Sequence, residues 1–106
     1  MLEKELQRAV IELAHLYGWL VFHPRPSQNS RGDWRTYMSG DRGFPDLTLV
    51  HTTGGICFVE LKSTKGRLSP EQKMWLEKLS LHADAMVWRP ADWMDGTIER
   101  YLLGAG

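Results

Sequence analysis

Apolar side chains recur at three- and four-residue steps along the first seventeen positions, at Leu2, Leu6, Val10, Leu13 and Tyr17. Lys4, Arg8, Glu12 and His15 fall on the opposite side, so the pattern predicts an amphipathic helix over 2–17. Gly18 stands where a helix C-terminus favours glycine. The period then shortens. Residues 19–23 (WLVFH) are aromatic and β-branched and predict a strand ending before Pro24. The runs 46–51 (DLTLVH) and 56–62 (ICFVELK), joined by Thr52, Thr53, Gly54 and Gly55, predict a β-hairpin. A second helix opens at SPEQ, with Ser69 as N-cap, Pro70 at the first helical position and Gln72 completing a capping box. Trp75, Leu79 and His82 are expected along its inner face. Residues 85–88 (AMVW) predict a short strand ended by Arg89 and Pro90, and 91–103 a last helix interrupted by Gly96.

Between these elements, residues 24–43 (PRPSQNSRGDWRTYMSGDRG) carry no periodicity and read as a loop. A loop of that length in a small domain has a function or is disordered. It holds Arg25, Arg31, Arg35 and Arg42 against Asp33 and Asp41, with Trp34 and Tyr37 interleaved, a composition suited to a nucleic-acid backbone and its bases. The 106 residues are of a length for one domain, 1–106, and 42% apolar content supports one small core. Thirteen basic and thirteen acidic residues cancel, so a nucleic acid would have to be held by a local patch. A single cysteine, Cys57, excludes a disulfide framework and reads as a small buried hydrophobe. No apolar run is long enough to span a bilayer, and the charged N-terminus does not resemble a secretion signal, so the expected setting is soluble and cytoplasmic.

The chemistry concentrates at the hairpin. Pro45-Asp46 opens one strand and Glu60-Leu61-Lys62 closes the next. Alternation puts Glu60 and Lys62 on the face of Phe58, with Val59 and Leu61 opposite. An ionised pair ending a strand otherwise built for burial is a local inconsistency of the kind found at functional sites. A four-residue turn would pair Asp46 with Leu61; a three-residue turn or a bulge would pair it with Glu60 on one face. The second geometry, or a bend at Asp46, is expected. Two converging carboxylates need a proton or a cation between them, and ligation by oxygen alone selects Mg²⁺ or Mn²⁺. Lys62 would orient or deprotonate an attacking water and offset charge on a phosphoryl group.

These residues resemble the PD-(D/E)xK phosphodiesterase superfamily, and the wider pattern resembles its virus-type replication-repair nuclease branch (VRR-NUC). The matching pieces are E-x-x-L-Q at Glu3–Gln7, G-W at 18–19, G-F-P-D at 43–46, V-E-L-K at 59–62, G-R-L-S-P-E-Q at 66–72 and V-W-R-P at 87–90. The resemblance implies that Asp46, Glu60 and the Leu61 carbonyl hold the metal, that Lys62 is the catalytic lysine, and that Glu3 completes the site directly or through water. With Leu6 at the apolar centre, Glu3 lies about 60° away, while Glu5 and Glu12 lie about 100–120° round the other side. Gln72 matches a position thought to assist at the site, although a capping box alone would explain it. Trp75 is expected to serve the core. The four histidines lack metal-ligand spacing and read as structural.

Residues 23–67 hold seven Lys and Arg against four acids, a local net of +3, which includes Lys65 and Arg67 beside the second helix start, placed for phosphates. The expected fold is α/β, in the order α-β-(long loop)-β-β-α-β-α, a small mixed sheet flanked by helices. The expected activity is Mg²⁺- or Mn²⁺-dependent endonucleolytic hydrolysis of branched DNA, such as Holliday junctions or flaps, with no nucleotide cofactor and no membrane partner. Resemblance to single-domain viral members implies a homodimer, because resolving a four-way junction takes two symmetric cuts. Two alternatives stand beside this: a catalytically weak DNA-binding subunit of a larger nuclease, and a sequence-specific restriction-type enzyme reading bases with loop 24–43.

Overall fold

The structure, a computed structural model, describes residues 1–24 and 40–104, and the backbone of 27–28 and 34–35. Helix α1 (Glu3–Leu16) is followed by strand β1 (Leu20–Phe22), the short strands β2 (Ser27–Gln28) and β3 (Trp34–Arg35), and the hairpin β4 (Leu47–His51) and β5 (Gly55–Leu61). Helix α2 (Pro70–Leu79), strand β6 (Asp84–Trp88) and helices α3 (Pro90–Met94) and α4 (Thr97–Gly104) complete the chain. The main sheet runs β1-β4-β5-β6, antiparallel except for the parallel pair β5–β6, which α2 connects. This is the mixed α/β sheet that the sequence pattern predicts.

Three expectations are corrected. Segment 24–43 is not wholly without secondary structure, because β2 and β3 pair antiparallel, Ser27 with Arg35 and Gln28 with Trp34. The last helix is two, because Gly96 takes φ +83°, a left-handed turn that no helix continues through. His82 lies beyond the end of α2 and is exposed, and no residue of α2 is buried.

The core lies on one face of the sheet. Leu6, Val10 and Ala14 of α1 meet Leu47 and Leu49 of β4, Cys57, Val59 and Leu61 of β5, Trp88 of β6, and Ile98 and Leu102 of α4. Leu13 and Tyr17 pack at its margin, while Leu2 is exposed. Trp19, just before β1, is buried and donates its indole N–H to the Leu102 carbonyl at 3.1 Å, tying the start of β1 to α4. The opposite face is thinner. There α2 rests through Trp75 on Phe44, which in turn meets Phe58 edge-on. The buried residues of β4 and β5 keep strict period two up to Val59, and Glu60 breaks it.

Candidate active site

The hairpin turn sets the register. His51 pairs with Gly55 across the three residues Thr52, Thr53 and Gly54, and Gly55, which closes the turn, takes φ +79°, a left-handed conformation that favours glycine. Leu47 then pairs with Val59, so Asp46, one residue before β4, stands level with Glu60. Pro45 and Asp46 precede the regular ladder, and the Asp46 carboxylate takes over where backbone pairing ends. Its Oδ2 accepts the Leu61 amide N–H at 2.8 Å. In an antiparallel strand a residue's N–H and C=O point to the same edge, so the Leu61 carbonyl is turned toward the Asp46 side as well.

Glu60 is 3% exposed, the one charged side chain buried among the described residues. Its Oε2 accepts the Gln72 side-chain amide at 3.0 Å and lies 3.6 Å from Lys62 Nζ. Its Oε1 is buried with no hydrogen-bond partner among the described residues. An unpaired buried oxygen of this kind is costly. Burial first, then the neighbouring Asp46 carboxylate, push the Glu60 carboxyl up to about 7, against the pull of Lys62.

The N-terminus of α2 closes the site. Ser69 Oγ accepts the Gln72 N–H at 3.1 Å, and Gln72 Oε1 accepts the Ser69 N–H at 2.9 Å, forming the capping box. The same side chain thus caps the helix with its oxygen and holds Glu60 with its nitrogen. Gly43, at φ +99°, is pressed against this turn: a Cβ there would stand 2.6 Å from the Glu71 carbonyl carbon. The Trp75 indole donates to the Arg42 carbonyl at 2.9 Å, fixing the approach of the Gly43–Asp46 segment.

Other predicted residues fall further away. Glu3 is exposed on the first turn of α1 and makes no hydrogen bond or ion pair with any described residue. Among the described residues no three His, Cys, Asp or Glu side chains converge in a way that could hold a metal ion. The carboxylate pair therefore stands without the third acid expected from α1. Arg42, Lys65 and Arg67 are exposed, whereas Arg25, Arg31 and the Arg35 side chain lie outside the described residues. Cys57 is buried, and burial pushes its thiol up to about 11, which keeps it protonated.

Two residues close to the site were read as structural or passed over in the sequence. His23 Nδ1 lies 3.1 Å from the Asp46 carbonyl, and its Nε2 lies 2.8 Å from the Gln7 side-chain nitrogen. Arg89 Nη1 donates at 2.7 Å to both the Ser63 and the Gly66 carbonyls. It thereby clamps the turn that follows Lys62, whose Cδ would stand 3.4 Å from a Cβ on Gly66. Only the R-P of 89–90 in the motif set pointed toward Arg89.

The family model for the VRR-NUC domain matches residues 19–89. The chain belongs to the VRR-NUC family, which places it among the nucleases of the PD-(D/E)xK superfamily. A solved structure described as a VRR_NUC domain is similar at 27% identity and a TM-score of 0.64, covering 93% of this chain and 96% of its own. A second, described as a VRR_NUC domain protein, shares the fold at 21% identity and a TM-score of 0.64, covering 100% of this chain and 91% of its own. No curated protein matches the chain. Among the described residues no helix is long and apolar enough to cross a membrane.

Proposed function

We propose that this nuclease is a Mg²⁺- or Mn²⁺-dependent endodeoxyribonuclease acting on branched DNA as a homodimer. The observation that carries the reading is the buried Glu60, whose Oε1 has no hydrogen-bond partner among the described residues and stands beside a second carboxylate. The donor set at this point, two carboxylates and the Leu61 carbonyl, is all oxygen and fits a hard divalent cation. Such a cation, when bound, withdraws charge from the scissile phosphodiester and stabilises the additional charge of the transition state.

The protein's own groups do the rest. Asp46 and Glu60 supply the negative charge that holds the cation, and Gln72 fixes Glu60 through Oε2, leaving Oε1 free. Lys62, with Nζ 3.6 Å from the same carboxylate, orients the attacking water and meets the charge that builds on the phosphoryl oxygens. The water oxygen bonds to phosphorus and gives one proton to solvent, while the ester bond to the sugar oxygen breaks and that oxygen leaves as a hydroxyl by taking a proton from solvent. Glu3, one helical turn before Gln7, joins through water once substrate is bound. Arg25, Arg31, Arg35, Arg42, Lys65 and Arg67 hold the DNA backbone, which gives position rather than sequence.

Incubation of labelled duplex, flap and four-way junction DNA with Mg²⁺, Mn²⁺ or chelator tests the proposal. Cutting of the branched substrates requires metal, and Lys62→Ala reduces it by at least about 10³-fold while DNA binding stays within about threefold. Cutting that survives in chelator or in Lys62→Ala rejects this mechanism. A duplex sequence cut in preference to branched DNA would favour the restriction-type alternative. Binding without any metal-dependent cutting would favour a DNA-binding subunit.

A further inference from the structure

We infer that His23 is a positioning residue for Asp46, holding the peptide that carries this carboxylate so that a divalent cation is bound between it and Glu60. The inference rests on reading Asp46 as a cation ligand. It begins from a gap in the β ladder. Leu20 pairs with Val50, Val21 with Leu49 and Phe22 with Thr48, so the same register sets His23 opposite Leu47 and Pro24 opposite Asp46. Proline has no amide hydrogen, and the ladder therefore offers the Asp46 carbonyl no donor at this position. The His23 ring supplies one, with Nδ1 at 3.1 Å from that oxygen.

The hydrogen-bond chemistry fixes the ring. A carbonyl only accepts, so Nδ1 carries the hydrogen. The Gln7 amide nitrogen only donates, so Nε2, at 2.8 Å, accepts. Both contacts are satisfied by one neutral tautomer. Gln7 stands beside the buried Leu6 on α1, so a helix anchored in the core holds the imidazole. Asp46 is consequently gripped twice, at its carbonyl by His23 and at Oδ2 by the Leu61 N–H. It stands outside the regular strand, and these two bonds replace the ladder that would otherwise set its direction. Outer groups that orient ligands in this way change metal affinity by about 10–100-fold when removed.

Calorimetric titration of the full chain with Mn²⁺, without DNA, tests the assignment. Asparagine sets its amide nitrogen near the Nδ1 position, whereas glutamine sets it near Nε2. His23→Asn is expected to bind Mn²⁺ within about threefold of wild type, and His23→Gln and His23→Leu about 10–100-fold more weakly. Gln7→Leu, which leaves the Asp46 contact but frees the ring, falls between them. Imidazole ¹⁵N shifts of the metal-free protein should report the Nδ1–H tautomer. Wild-type affinity in His23→Gln, equal weakening in His23→Asn and His23→Leu, or an Nε2–H tautomer would each overturn the inference. Asp46→Asn separates the two levels. If it binds Mn²⁺ as wild type does, or if wild type binds none, the reading of the site itself fails; if it alone loses binding, only the role of His23 fails.

Discussion

At the scale of single residues, Glu60 is the one charged side chain buried among the described residues, and its charge is only partly compensated. Its carboxyl is raised from an ordinary 4.5 to about 7, so the folded chain holds a proton that the unfolded chain has already released. This proton's contribution to stability is complete below about pH 4.5 and is lost as pH rises through 7. In chelator, urea unfolding should show a decline on the order of 2 kcal/mol between pH 4.5 and 8 that is traceable to this one group. Glu60→Gln, neutral at every pH, should flatten that decline and exceed wild-type stability at pH 8 while abolishing cutting. A variant with the same pH profile as wild type would show that the decline arises elsewhere.

At the scale of elements, α2 acts through its first turn. Ser69 and Gln72 were legible as a capping box because N-cap chemistry is local in sequence. The second contact of Gln72, its nitrogen on Glu60, depends on where the helix is docked. Gln72→Glu keeps an oxygen for the Ser69 N–H but turns a carboxylate toward Glu60. We expect it to cost under about 1 kcal/mol at pH 5, where Glu60 is protonated, and more at pH 8, with cutting reduced about 10-fold or more; paired urea and cleavage series check this. Docking itself relies on Gly43. Gly43→Ala adds a Cβ 2.6 Å from the α2 backbone at a positive φ, and should destabilise the fold by about 2–4 kcal/mol in urea denaturation. The motif contained this glycine, but its reason, a helix pressed against it from 28 positions later, is not local.

For the whole molecule, the face of the sheet bearing Glu60 also exposes Leu20, Phe22, Val50 and Ile56. Register lines them up, with Leu20 beside Val50 and Val50 beside Ile56 across three strands. This apolar strip, on the edge strand β1 and its neighbours, supports the proposed homodimer. Leu20 is 74% exposed, so Leu20→Asp should leave the monomer's stability nearly unchanged. Light scattering should find it shifted toward monomer by about tenfold in dissociation constant, and junction cutting should fall with it. An unchanged mass would remove this strip from the interface.

The sequence by itself determined the periodicities, hence which faces are apolar, and the local devices: the caps, the turn glycines and the hairpin with its two carboxylates near one end. It also carried the ordered motif that identifies the family. Tertiary structure decided what these local choices meet. The three-residue turn placed Asp46 level with Glu60 rather than Leu61. The thin layer of Phe44, Phe58 and Trp75 brought Gln72 to a carboxylate 12 positions away. The β1–β4 register turned Pro24 into a missing donor that His23 fills. Glu3, matched by motif and by helical angle, reaches no described partner. A helical angle states which way a side chain leaves its helix, and only packing fixes how far that helix end stands from the site.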